Sequence, residues 1–407
     1  MTQPPADEAS RPSAPLQPTR PPSGLSLPGT RILQLLPRLE SGGVEEVTLE
    51  TCRFVATAGG STLVASAGGA MVEALVAAGA LHVQLPLDQR SPLALAANAV
   101  RIAALVRRER IDLIHVRSRA PAFSALWAGR TTRTPVVATY HGVYSAGSGL
   151  KRWYNAVMTR GDFTFANSSF TAAHVMAQHA IAPDRLIITP EGIDTARFDP
   201  AAVSPERLAR AREAIGADAA DAAPVILLPA RLTGWKGQTV AIAALARLAG
   251  AGDARLVLAG AARKAQDKAV LLAVAQAAGV ADRVVFAGRV EDMPALLAAA
   301  DLVIAPSTSA ESFGRSIAEA CAMERYVIAS RHGAAAELVV DGETGRLAAP
   351  GDVQAWAAAI AQALALTPQQ RLEIGRQARR RMVERFSLEA MAQATLAAYR
   401  RVLGLGA

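Results

Sequence analysis

From Arg31 onward, short apolar runs alternate with longer amphipathic stretches. Ile32–Leu36, Ser61–Ala65, Ile111–Val116, Pro135–Thr139 and Phe163–Ala166 have the length and closure of buried strands, and helical patterns fill Leu93–Arg110 and Gly149–Arg160. A polar patch rich in Ala and Asp, Asp199–Ala223, breaks the rhythm and reads as a linker. The alternation then resumes with Val225–Leu228, Arg255–Ala259, Arg283–Ala287, Asp301–Pro306 and Tyr326–Ala329, and Pro368–Leu403 is helical. Strands alternating with helices predict parallel sheets covered on both faces. The fold class is therefore α/β: two doubly wound, Rossmann-like domains facing a cleft.

At 407 residues the chain is too long for one ordinary core, in keeping with two domains. Residues 1–28 carry eight prolines and almost no large apolar side chains, which predicts a disordered leader rather than a signal peptide. No apolar run reaches the ~18 residues of a membrane span. The two cysteines, Cys52 and Cys321, lie far apart in apolar helical contexts, which argues against a disulfide framework, and a cytoplasmic location is expected. The formal charge of +8 is dispersed and mostly arginine. It demands no nucleic acid, and none is expected; handling phosphorylated substrates, with peripheral contact at an anionic inner membrane, fits as well. Lys151-Arg152-Trp153-Tyr154 has the basic and aromatic character of an interfacial segment. The arginines between Arg376 and Arg385 read as a solvated helix face, Cys321 as a small core residue, and His174 and His179 as unrelated to a site.

The chemistry concentrates in one run. Glu311 lies on a loop just past the apolar strand Asp301–Pro306, and Glu319 lies eight residues on, in the small-residue helix that follows. Ligands of open α/β sheets bind at the carboxyl ends of strands. Gly314 permits close backbone approach, and the first amides of a helix seat an anion. Two carboxylates that accept hydroxyls beside a phosphate seat suit a nucleotide sugar. Arg231 and Lys236 flank another strand-to-helix turn and can clamp a diphosphate. Gly42 and Gly43 open the helix after the first strand, and His141 follows a strand of the first domain. There is no Asp-x-Asp, so cations rather than a metal are expected to neutralise the diphosphate. A Walker loop and a Gly-x-Gly-x-x-Gly turn are also absent from the sequence.

In this order and spacing, from about Arg31 to the C-terminus, the chain resembles retaining glycosyltransferases of the GT-B type in the large family numbered four. The resemblance implies an acceptor domain at 29–200, a donor domain at 201–385, and a terminal helix at 386–407 that packs back on the first. It implies that Glu311 contacts the donor sugar, that Glu319 holds the ribose diol, and that Arg231 and Lys236 bind the diphosphate. The backbone of Phe313, Gly314, Arg315 and Ser316 would complete that seat, His141 would orient the sugar, and Arg289 and Val290 would frame the base. Arg231, Lys236, Glu311 and His141 are thus the expected catalytic set. The donor would be a UDP- or GDP-sugar, the acceptor a glycan or lipid-linked glycan, and no metal or other cofactor would be needed. Glu191-Gly192-Ile193-Asp194 departs from the family's usual Asn-Gly-Val-Asp, and His332-Gly333, ahead of Glu337, from its paired glycines. His115-Val116-Arg117-Ser118-Arg119-Ala120-Pro121-Ala122 resembles bacterial enzymes of surface-polysaccharide or lipopolysaccharide synthesis. The rival readings are a nucleotide-sugar epimerase or hydrolase of the same fold, and a non-catalytic nucleotide-sugar-binding protein.

Overall fold

The computed structural model describes residues 25–40, 42–144, 147–217, 223–248, 254–262 and 264–406. The first domain holds β1 (Arg31–Leu35), β2 (Ser61–Ser66), β3 (Leu81–Gln84), β4 (Leu113–Val116), β5 (Val136–Tyr140), β6 (Phe163–Ala166) and β7 (Leu186–Ile188). They pair in parallel in the order β3-β2-β1-β4-β5-β6-β7. The second domain holds β8 (Val225–Pro229), β9 (Arg255–Ala259), β10 (Val284–Gly288), β11 (Leu302–Ala305), β12 (Tyr326–Ser330) and β13 (Arg346–Ala348). Their order is β10-β9-β8-β11-β12-β13, again parallel. β5, β8 and β12 are buried at every position, because helices cover both faces and leave no room for polar alternation. Both sheets reverse direction of growth between their first and fourth strands. The crevices beyond β1/β4 and β8/β11 are therefore the places where such sheets bind ligands.

Three strands escaped the sequence pattern. β3, β7 and β13 are sheet-edge strands of three or four residues, partly exposed and too short to show a period. The interrupting patch is not wholly linker either. It contains the helix Pro205–Ala214, which packs on the helix Met293–Ala299, and Arg207 grips Asp292 through two hydrogen bonds of 2.7 Å. Residues 218–222 of that patch lie outside the described residues, as do residues 1–24 of the leader. The leader's last residues are docked on the first domain: Leu27 is fully buried and its amide donates to the Ala58 carbonyl.

The C-terminal stretch is two helices, Pro368–Arg385 and Leu388–Leu403, broken where the chain crosses between domains. At the break Ile193 donates to the Phe386 carbonyl and accepts from the Leu388 amide, 2.9 and 3.0 Å, while Ser387 caps the second helix. Arg379 does not serve a solvated face. It donates to the Phe198 and Ala322 carbonyls and pairs with Asp199 at 2.6 Å, tying both sides of the crossing together. The last helix then returns to the first domain, where Leu396 and Tyr399 join Ile32, Val137 and Phe165 in one core cluster. The Tyr399 hydroxyl meets His115 Nδ1 at 2.6 Å, and His115 Nε2 meets Thr139 Oγ1 at 2.7 Å. Burial drives the His115 pKa well below its ordinary value, so the ring is neutral and needs both partners.

Tyr399→Phe keeps the ring and strands one nitrogen of His115. We expect a loss of about 1–3 kcal/mol in urea unfolding; a change under about 0.5 kcal/mol would mean that this contact does not hold the terminal helix in place.

Candidate active site

Beyond β8, the turn Arg231–Gly237 folds over the end of β11. Trp235 O accepts from the Thr308 amide at 2.8 Å, and the backbone of Gly237 lies against the Pro306 carbonyl. This places the ammonium of Lys236 2.9 Å from Glu311 Oε2, with both side chains largely enclosed. Glu311 Oε1 accepts from the Ser307 hydroxyl, and the His332 ring meets the Ser307 carbonyl at 2.8 Å. Arg231 is exposed at the start of the same turn, and among the described residues its guanidinium has no ion-pair partner. Trp235 presents its ring to Lys236, 4.3 Å from the ammonium.

Gly314 adopts φ +94°, which only glycine takes readily, and starts the helix Arg315–Ala322. Among the described residues the Arg315 and Ser316 amides donate to no protein acceptor and stand open as an anion seat. Phe313 does not face this seat with its side chain: the ring is buried against Phe386, leaving only its backbone there. Glu319 lies one turn inside the helix, 3.4 Å from Arg315 Nε, and Arg315 reaches over to Glu46 of the first domain at 2.8 Å. Burial, partly offset by Arg315 and reinforced by Glu46, pushes the Glu319 carboxyl up to about 7. Arg289 and Val290 follow β10 at the edge of the sheet, two strands from β8; Arg289 is exposed and Val290 packs on the core. The structure thus gathers Lys236, Glu311, Gly314, Arg315, Ser316 and Glu319 at one switch point, with Arg231 beside them and Arg289 and Val290 just past β10, where Val290 packs on the cluster that holds Phe313 and Ile317.

The first domain meets this group across the cleft. Gly42 and Gly43 begin the helix Gly43–Thr57; nothing lies within 4 Å of a side chain built on Gly43, while Ser41 is outside the described residues. The Ser312 hydroxyl donates to the His141 carbonyl at 2.8 Å. The His141 ring is itself enclosed: Nδ1 is 3.4 Å from Glu191 Oε1 and Nε2 is 3.5 Å from Arg117 Nη1. Burial and the Arg117 charge lower the His141 pKa. Its neutral ring then donates from Nδ1 to Glu191 and accepts at Nε2 from Arg117. Glu191 stays ionised although burial opposes it, because His141 and the Asn167 amide, 2.8 Å away, donate to it. Arg117 completes the set with bonds to Gln34 and Thr51. The Glu191 and Arg117 partners of His141 were not read from the sequence as a unit. Each looked only like a departure or a subgroup mark, and 50 and 24 residues separate them from His141. Glu337 was likewise unassigned, yet its carboxylate accepts the Ser169 and Phe170 amides at 3.0 and 2.7 Å, clasping a first-domain helix. Among the described residues, no group of three or more His, Cys, Asp or Glu side chains converges as metal ligands would.

Comparison with known proteins decides the family. Residues 41–197 match the family described as Glycosyltransferase Family 4, and residues 213–381 match Glycosyl transferases group 1. A crystal structure of a glycosyltransferase from Rickettsia africae ESF-5 superposes with a TM-score of 0.86 and 30% identity, covering 93% of this chain and all of that one. The chain belongs to the GT-B glycosyltransferases. This glycosyltransferase is also 30% identical over 279 residues to the MMP alpha-(1->4)-mannosyltransferase of Mycolicibacterium hassiacum, a match covering 68% of the chain and 61% of the relative. Over 128 residues, 31% of the chain and 36% of the relative, it is 41% identical to the lipopolysaccharide core biosynthesis mannosyltransferase LpcC of Rhizobium leguminosarum bv. viciae.

The raised carboxyl of Glu319 has a defined sign. The folded state holds a proton that the unfolded chain releases near the ordinary carboxyl value of 4.5, so this group's contribution to stability falls as pH rises from about 4.5 to 7. We expect Glu319→Gln to remove that loss. Relative to wild type, the variant should gain about 2–3 kcal/mol between pH 5 and pH 8 in denaturant titrations. Parallel stability curves for the two proteins would show that Glu319 is ionised throughout.

Proposed function

We propose that this glycosyltransferase moves a hexosyl group from a UDP- or GDP-sugar to a hydroxyl of a glycan or lipid-linked glycan, with retention of anomeric configuration. The observation that carries the reading is the Lys236–Glu311 pair beside the open Arg315 and Ser316 amides, at the switch point of the second sheet. Lys236, Arg231 and the amides bring positive charge to where a diphosphate leaves. Glu311, already anchored by Ser307 and Lys236, offers fixed oxygens to sugar hydroxyls, and Glu319 lies one turn deeper, where a ribose diol would reach it. Mannosyl transfer is the specific version supported by the two mannosyltransferase relatives, and the lipopolysaccharide core relative supports a place in envelope glycan synthesis.

In this mechanism the bond from the anomeric carbon to the diphosphate oxygen breaks first. The departing oxygen takes the proton of the acceptor hydroxyl, and that hydroxyl's oxygen bonds the anomeric carbon from the same face. Charge growing on the leaving group is met by preorganised donors, so most of the acceleration is electrostatic. No metal is required where the ammonium, guanidinium and helix amides supply this charge. The enclosed His141 ring serves here by holding the loop beyond β5 against Ser312 rather than by moving a proton.

Lys236→Ala should lower kcat by about 10²–10³-fold with the fold intact, as loss of a single donor to the leaving group does elsewhere. Incubation with GDP-mannose or UDP-glucose alone should release little nucleotide until a glycan acceptor is added, and the product anomer, read by NMR, should match the donor. Nucleotide release at the same rate without acceptor would make the chain a hydrolase. Unchanged turnover in Lys236→Ala would remove the pair from the reaction.

A further inference from the structure

Glu311 is supported from one side that the transfer chemistry does not itself use. Its loop, Ser307 to Glu311, leaves the end of β11 and is bracketed by the turn that follows β12. At the far end of the loop the Ala334 amide donates to the Glu311 carbonyl at 2.9 Å. The approach there is close. A Cβ on Gly333, whose φ is +65°, would lie 2.5 Å from that carbonyl oxygen and 2.7 Å from the Glu311 nitrogen. At the near end the His332 ring reaches the Ser307 carbonyl, with Nε2 2.8 Å from the oxygen. A tight turn carries the ring there, the His332 amide donating to the Ser330 carbonyl at 2.8 Å.

The Ser307 carbonyl shares one rigid peptide plane with the Thr308 amide. That amide donates to Trp235 O at 2.8 Å, in the turn that carries Lys236. A single planar unit is thus pinned at both ends, by the turn after β8 and by the turn after β12. Rotating it breaks both bonds at once. Ser307 is 3% exposed, and among the described residues the His332 ring is the sole protein donor to its carbonyl. A carbonyl left unpaired at that depth is costly, so without the ring the plane is driven to turn. The Ser307 hydroxyl, which donates to Glu311 Oε1, would move with it, and Lys236 would hold the carboxylate by Oε2 alone. A carboxylate offers about four acceptor sites. Ser307 and Lys236 take one on each oxygen and leave the rest for sugar hydroxyls.

We propose that His332 is a positioning residue for sugar transfer. By pinning the peptide between Ser307 and Thr308, it fixes the Ser307 hydroxyl on Glu311 and so aims the oxygens that receive the donor sugar. The inference rests on Glu311 as the sugar-binding carboxylate. It assigns His332 to the sugar half of the donor and not to the diphosphate, whose seat is built by Lys236 and the Arg315 and Ser316 amides. A carbonyl only accepts, so a neutral His332 ring carries its proton on Nε2, and the imidazolium donates from the same atom. The contact needs no proton to move.

Calorimetric titration of the full chain with GDP, GDP-mannose, UDP and UDP-glucose, beside steady-state transfer to a glycan acceptor, separates the two halves of the donor. In His332→Ala we expect kcat to fall about ten- to a hundredfold, the cost of a group displaced by about 1 Å near the reacting bond. The Kd of the nucleoside diphosphate should stay as in wild type. The margin by which the nucleotide sugar binds better than the bare diphosphate should shrink about fivefold, the worth of one hydrogen bond. His332→Gln, whose amide can donate from the same place, should return kcat to within about threefold of wild type. Imidazole nitrogen shifts of histidine-labelled protein, assigned against His332→Gln, should show the neutral His332 ring protonated on Nε2. Unchanged kcat in His332→Ala beside an active wild type would overturn the inference. So would equal loss of diphosphate and nucleotide-sugar affinity, no recovery in His332→Gln, or a neutral ring protonated on Nδ1. Should wild type bind the donor yet transfer nothing, the transferase reading falls instead. The ratio of the GDP and GDP-mannose dissociation constants then still decides the part of His332, and an unchanged ratio in His332→Ala would sink it.

Discussion

The site depends on how closely two turns of the second domain can approach. A Cβ built on Gly237 would lie 1.9 Å from the Pro306 carbonyl oxygen, and the residue's φ of +76° already favours glycine. Only because that side chain is missing can the turn after β8 lie flat on the end of β11, where the Thr308 amide finds Trp235 O. Lys236 then comes within 2.9 Å of Glu311. Removed from most water, that pair is worth keeping together only if each charge has further partners. Ser307 supplies one to the carboxylate; a leaving diphosphate would supply one to the ammonium.

The first domain contributes a rigid opposite wall. Its own switch point, beyond β1 and β4, is filled by the buried guanidinium of Arg117, which binds Gln34, Thr51 and the His141 ring. Glu191, carried on the segment that leads to the crossing, supplies the counter-charge through His141. The two walls are joined by Ser312 on the His141 carbonyl, Arg315 on Glu46, and Glu337 on the amides of Ser169 and Phe170. Two of these three ties arise from the loop and helix that carry Glu311 and Glu319. The contacts that join the domains therefore lie on the same loop and helix as the carboxylates of the site.

Much of this was legible in the residues. Wholly apolar runs such as Val225–Pro229 can only be central parallel strands, and the alternation with helices follows from that. Glu311, Gly314 and Glu319 announce themselves because a strand end, a glycine and a helix start fall together in sequence. Short edge strands such as Arg346–Ala348 carry no period to read. The partnership of Arg117, His141 and Glu191 is invisible for another reason: it is assembled by three separate strand ends, and no local pattern encodes it. Arg379 misled because an arginine among arginines looks solvated until the carbonyls of a chain crossing are placed around it.

A crystal structure with a bound nucleoside diphosphate sugar would test the central claim most directly. The diphosphate should contact Lys236 Nζ and the Arg315 and Ser316 amides at hydrogen-bond distance, about 2.7–3.2 Å, with the sugar hydroxyls on Glu311. A diphosphate seated elsewhere, with Lys236 and Glu311 still paired and untouched by the ligand, would contradict the account.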